Sequence, residues 1–313
     1  QLPVLFADYI LRNEQDVKDL ILLLNDVKPY MNSLLDYTKK QAELGTLMID
    51  FDTVIEDCQK TFKEGENSAV LTSMVASIDA LELSDELKQQ YKNELKTTFM
   101  NSFMEAYASI IDTMESLKGS KNNTQGLYYL ENGKAYYEYL FKSKTGTSRS
   151  ITDTQKLLDQ LANEMLNTAQ KIAFVDKKAY EAWAYGLVDT GYTDFEVMLA
   201  DLNRWFKQDF PSVKEIDYEI KPLDPELAVS GIAAYFNIPA IDGTTKKQIR
   251  VNTNKDALNI ASLDTFSTVA HEGLPGHMYQ ISYAYEKFPN AFHNLFNNNL
   301  GYTEGYATYV EFY

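Results

Sequence analysis

From Asn13 to about Lys118 the apolar residues recur at three- and four-residue steps, as in Val17, Leu20, Ile21 and Leu24, then Met31, Leu34 and Leu35. That is the period of helices burying one face. The pattern breaks near Gly45, at KEGEN (63–67) and at LELSD (81–85), where Ser84 stands ready to cap a helix running on through Tyr91. Several packed helices are therefore expected. The segment GSKNNTQG (119–126) is polar, bounded by glycine and without periodicity, which marks a boundary. It separates a helical N-terminal region, 1–120, from a second region, 121–313.

Beyond that boundary, LYYLENGKAYYEYLF (127–141) reads as a tyrosine-rich helix whose rings pack at core and rim while their hydroxyls stay wet. A Gly/Ser/Thr loop follows, then a helix capped near Thr152 or Asp153, and helices continue through RWFKQDF (204–210). The texture then changes. KEIDYEIKPLDPELA (214–228) and GIAAYFNIPAIDGTTKKQIRVNTN (231–254) mix β-branched and aromatic residues with proline and glycine, as strands and turns do. Residues 233–239 are expected to pair with 248–252 across IDGTTKK, forming a small antiparallel sheet. The fold class is mainly α (α+β): a multi-helix body with that small antiparallel sheet beside a zincin-like helix pair.

A chain of 313 residues with 45% hydrophobic content can bury a large core. Its formal charge of −16 repels phosphates and no basic patch offsets it, so nucleic acid is excluded as a partner. The single cysteine, Cys58, excludes an internal disulfide and reads as a small buried apolar residue. No apolar run approaches the roughly 18 residues of a spanning helix. The start, QLPVLFADYI, has no basic region of the kind that opens a signal peptide. A removed signal segment would leave no trace, so an extracellular or lipid-anchored setting and a cytoplasmic one both stay open.

Chemistry concentrates late in the chain. Two of the three histidines fall in HEGLPGH (271–277). On a helix starting near Asp264, Phe266, Val269, Ala270, Gly273 and Leu274 share one side, and His271 and Glu272 project away from it. Zinc enzymes place two imidazoles one helical turn apart, with a glutamate beside the first to take a proton from water. Here the second histidine comes six residues after the first, about 120° away on an ideal helix. Pro275 offers no N–H and Gly276 tolerates unusual dihedrals, so two residues can bulge out and return His277 to the i+4 place. A third ligand is expected in YTEGYATYVEFY, where Glu304 falls 27 residues after His277. Glu311, seven residues further, shares its helix face and is placed to accept a hydrogen bond from a ligand imidazole. His293 reads as a surface or capping residue, and Tyr302, Tyr306 and Tyr309, at helical spacing, as packing residues.

The HEGLPGH–MYQ run, EGYATYVE, the upstream GKAYYEYLF…TGT stretch and the AYFNIP strand together resemble the bacterial domain-of-unknown-function 885 family, described as gluzincin-like zinc metallopeptidases. That family usually carries a second histidine directly after HExxPGH, where this chain has Met278, and a tryptophan where it has Tyr306. The resemblance implies that Glu304 is the glutamate of the family's EGWA motif. It also implies that Tyr235, Phe236 and Asn237 belong to an edge strand along which an extended peptide binds. Family members run beyond the EGWA helix, so the chain is expected to be a fragment with its catalytic region incomplete, and the groups that stabilise an oxyanion are expected in later sequence.

The leading expectation is zinc-dependent hydrolysis of short peptides: His271, His277 and Glu304 hold Zn2+, and Glu272 is the general base. Two alternatives stand beside it. One is a non-enzymatic helical binding or structural protein with an inert or absent metal site. The other is a zinc enzyme acting on a different amide or an ester. Nothing in the pattern fixes the oligomeric state.

Overall fold

A computed structural model of the chain describes residues 2–223, 228, 231–240, 246–288, 290 and 299–313. The chain divides into two compact units, Gln1–Tyr136 and Tyr137–Tyr313. The polar segment 119–126 lies inside the first. Asn122 exchanges two hydrogen bonds with the Ile49 backbone, at 3.0 and 2.7 Å, and the Asn123 N–H donates to Leu47, so these asparagines tie the segment to the helices before it.

The first unit packs six helices: α1 (Leu2–Ala7), α2 (Glu14–Leu44), α3 (Phe51–Glu64), α4 (Ala69–Asp79), α5 (Asp85–Thr98) and α6 (Glu105–Leu117). Their ends follow the sequence signals. Asn13 and Ser84 cap α2 and α5 by accepting N–H bonds from the first turns. Gly45 ends α2 in the left-handed region (φ 70°), which only glycine enters without a Cβ penalty. Pro29 inside α2 leaves the Asn25 carbonyl without its usual donor. The Ser102 hydroxyl supplies one at 3.1 Å and accepts the Lys28 N–H, from a π-helical turn at Phe99–Met104. Leu20, Leu24, Phe99 and Phe103 are fully buried in this core, and Cys58 is buried in α3.

The second unit opens within α7 (Gly133–Thr145) and continues through α8 (Ile151–Val175), α9 (Lys177–Ala184) and α10 (Phe195–Trp205). The cap of α8 is Ser150, earlier than the sequence suggested: its hydroxyl takes the Asp153 N–H while the Asp153 carboxylate takes the hydroxyl proton. The tyrosines of α7 depart from the packing expectation, since Tyr136, Tyr137 and Tyr139 are at least half exposed. In α8 no side chain is buried.

Among the described residues three strands follow: β1 (Tyr218–Pro222), β2 (Ala234–Asn237) and β3 (Lys247–Val251), in the order β1-β3-β2. The expected pairing of β2 with β3 is present and antiparallel, with Phe236 opposite Ile249. The sheet is mixed rather than antiparallel, because β1 runs parallel to β3. Most of the expected turn, and His293, lie outside the described residues. The last helices are α11 (Leu263–Glu272), α12 (His277–Lys287) and α13 (Leu300–Glu311). Met198, Leu199, Ile249, Val269, Leu274 and Met278, all fully or almost fully buried, join α10, β3, α11 and α12 in one core.

Candidate metal centre

The site starts from the way α11 is anchored. Ser262 caps it by accepting the Thr265 N–H at 3.1 Å, and Val269 and Ala270 bury the side that faces α10 and β3. His271 and Glu272 then fall on the last turn, away from the core. The helix stops at Glu272 and a new one starts at His277, so the HEGLPGH segment is a break between two helices rather than a bulge within one.

The break still restores the spacing. In an unbroken helix the Ala270 carbonyl would accept the N–H of residue 274. It accepts that of Gly276 instead, at 2.9 Å. Gly276 therefore stands where residue 274 would, and His277 stands one turn after His271. Glycine is required at 276 for space: a Cβ would overlap the carbonyl oxygens of His271 and Ala270. The two rings end 4.7 Å apart and nearly perpendicular.

Helix α13 brings the acids. Asn299 caps it through the Tyr302 N–H at 3.0 Å, and Glu304 and Glu311 project from one face. Glu304 Oε2 lies 3.5 Å from His271 Nε2 and 3.6 Å from His277 Nε2. Tetrahedral ligands bound at about 2.0–2.2 Å stand about 3.3–3.6 Å from one another. Both distances from Glu304 to the imidazoles thus match an edge of such a site. The donor atoms of His271, Glu272 and His277 also lie within 4.8 Å of one another. Glu304 is the better third donor, because its oxygen sits between both Nε2 atoms whereas a Glu272 oxygen is already engaged by a backbone N–H.

The outer imidazole nitrogens are held as well. His271 Nδ1 lies 2.6 Å from Glu311 Oε1, which favours the proton on Nδ1 and leaves the Nε2 lone pair for an ion. His277 Nδ1 has a weaker partner, Gln280 Oε1 at 3.4 Å, and the Gln280 amide donates to the Tyr302 carbonyl of α13, also at 3.4 Å. Tyr306 donates to the Pro275 carbonyl at 2.7 Å. Sequence reading missed the roles of Gln280 and Tyr306. The i+3 spacing from His277 on α12 is a signal for the first; the second has none, since its partner is a backbone oxygen. Of the three tyrosines expected to pack, Tyr306 does, whereas Tyr302 and Tyr309 are exposed.

Glu272 occupies a different environment. Its Oε2 accepts the Phe236 N–H at 2.9 Å. The Asn252 N–H donates to Ala233, and by alternation Phe236 falls in a non-hydrogen-bonded pair with Ile249, so its N–H points off the edge of β2 opposite β3. Burial raises the Glu272 carboxyl above its ordinary range and Glu304 adds to this, while the Phe236 N–H and both imidazoles oppose it. The Phe236 backbone therefore meets the site. The Phe236 side chain packs on the core, and those of Tyr235 and Asn237 alternate to the opposite face of the sheet. A surface concavity of about 780 Å³ lies elsewhere, between Thr193–Phe195 and the loop 252–260, and includes none of these residues.

The family described as "Bacterial protein of unknown function (DUF885)" matches residues 1–313. The chain belongs to the DUF885 family. Among solved structures, this DUF885 chain is similar to a crystal structure described as "the putative lipoprotein from Colwellia psychrerythraea", with a TM-score of 0.84 and 18% identity. The match covers 99% of this chain and 57% of that one, so the chain spans somewhat more than half of its neighbour's length. At this identity the likeness shows the fold. No curated protein matches the chain.

Proposed function

We propose that this DUF885 chain carries a zinc-dependent peptide hydrolase site, with His271, His277 and Glu304 as the metal ligands and Glu272 as the general base. The observation that carries the reading is the position of the Glu304 carboxylate, 3.5 and 3.6 Å from two imidazole nitrogens that themselves stand one turn apart. Two nitrogens and one oxygen form a donor set suited to catalytic zinc, which keeps a fourth position open. When bound, the ion would polarise a carbonyl and lower the pKa of water.

The protein's own residues supply the rest. Glu272 takes a proton from the attacking water and hands it to the departing amine; the Phe236 N–H fixes one carboxylate oxygen while it does so. The edge of β2 opposite β3 presents the Ala234 backbone and the Phe236 carbonyl, the Phe236 N–H being held by Glu272, and an extended peptide can lie beside them as an added strand. A peptide substrate follows from that edge better than a compact ester does. The neighbour's lipoprotein description supports an extracellular or lipid-anchored setting. Among the described residues no helix is long and apolar enough to cross a membrane.

The test is cleavage of a peptide library by the zinc-supplied protein, with and without chelator, beside Glu272→Gln. The variant is expected to keep its zinc and lose roughly 10²- to 10⁴-fold in rate, the usual contribution of a general base. Equal rates in variant and parent would rule out this role for Glu272. Zinc retention with no cleavage by the parent would favour the inert binding or structural protein.

A further inference from the structure

The segment between α11 and α12 sets where His277 stands; the Gln280 N–H of α12 holds the Gly276 carbonyl at 2.9 Å, and three further hydrogen bonds anchor the segment to α11 and α13. Two are main-chain bonds back to α11: the Gly273 N–H to Val269 at 2.8 Å and the Gly276 N–H to Ala270 at 2.9 Å. The third comes from α13, where the Tyr306 hydroxyl donates to the Pro275 carbonyl at 2.7 Å. Pro275 and Gly276 are buried, so that carbonyl needs a donor inside the protein. The Tyr306 ring is wedged edge-on against Phe210 at 6.5 Å, which fixes the direction of its hydroxyl.

We infer that Tyr306 is a positioning residue for the metal site: by holding the Pro275 carbonyl it keeps His277 in register with Glu304, two residues earlier on the same helix. The inference rests on the zinc reading above and adds a part to it. The peptide between Pro275 and Gly276 is only one residue from His277. If it turned, the imidazole would swing with it, and Gly276 has no side chain to resist. One helix thus supplies both a ligand, Glu304, and the bond that sets the distance from that ligand to the second histidine. Metal sites tolerate errors of only about 0.5 Å in such positions, so a rigid link between the two ligand-bearing segments matters more to affinity than to folding.

The structure provides a matched control. Tyr279 lies in the same core and donates to another proline carbonyl, that of Pro211, at the same 2.7 Å, but that bond does not touch the segment 273–276. Zinc affinity would be measured by competition with a chromophoric chelator for the parent, Tyr306→Phe and Tyr279→Phe, together with the thermal midpoints of the chelator-treated proteins. Both variants are expected to lose similar thermal stability, and only Tyr306→Phe to lose zinc affinity, by roughly 10- to 100-fold, the range for residues that orient ligands. Cobalt substituted into Tyr306→Phe should likewise show a weakened tetrahedral absorption band. Unchanged affinity in Tyr306→Phe, or an equal loss in both variants, would overturn the positioning role and leave the zinc reading intact. A parent protein that binds no zinc would overturn both.

Discussion

His271 is the most constrained side chain of the site, because both ring nitrogens face carboxylates: Nδ1 meets Glu311 at 2.6 Å and Nε2 meets Glu304 at 3.5 Å. The short bond fixes the ring's orientation and tautomer, which leaves the other nitrogen aimed at Glu304. Glu311→Gln keeps the shape and removes the charge. It is expected to weaken zinc binding by roughly 10- to 100-fold with little effect on folding, since the Glu311 side chain is a third exposed. Competition titration checks this, and an unchanged dissociation constant would remove Glu311 from the site. His271 and Glu272 were legible from their motif and Glu304 and Glu311 from their shared helix face, whereas His277 needed the Pro-Gly break to restore its turn and the pairing of Glu304 with the histidines came from the family resemblance. Gln280 carried only the weak signal of its i+3 spacing from His277, and Tyr306 carried none, because its bond reaches a backbone carbonyl that no residue pattern reveals. For Phe236 the strand was legible, but that its backbone N–H turns to Glu272 rather than to β3 depends on register.

At the scale of elements, two glycines beside proposed ligands make opposite demands. Gly276 has no room for a Cβ, whereas Gly305, next to Glu304 on α13, has nothing within 4 Å of the place one would take. Gly305→Ala should therefore stabilise the protein by about 0.5–1 kcal/mol, the helix-propensity difference, and leave zinc binding intact. Gly276→Ala should destabilise it by about 1–3 kcal/mol, as overpacking does, and weaken zinc binding by pushing His277 away. Thermal melts and zinc titration of the pair check both signs; matching effects would show that the segment 273–276 does not set the site. The helices and their ends were readable from period and caps, as at Asn13, Gly45 and Ser84. The β2–β3 pairing was readable from two strand-like runs joined by a turn. The parallel partner β1 was not, because a crossover brings it to β3 and local alternation carries no information about distant register. The restart of the helix at His277 was also hidden, since proline and glycine announce a break without saying where the chain resumes.

For the whole molecule, 45 acidic residues against 29 basic ones, a formal charge of −16, bear directly on any metal experiment. Scattered surface carboxylates attract divalent cations weakly, and at low ionic strength a protein this acidic takes up zinc without any built site. A specific centre is distinguished by dependence on the two histidines, which contribute little to net charge. The most direct test is zinc content after exhaustive dialysis at physiological salt, for the parent and for His271→Ala/His277→Ala. The expected result is about one zinc per chain in the parent and none above background in the double variant. Equal zinc in both, or none in the parent, would contradict the proposal that these histidines and Glu304 form a metal centre.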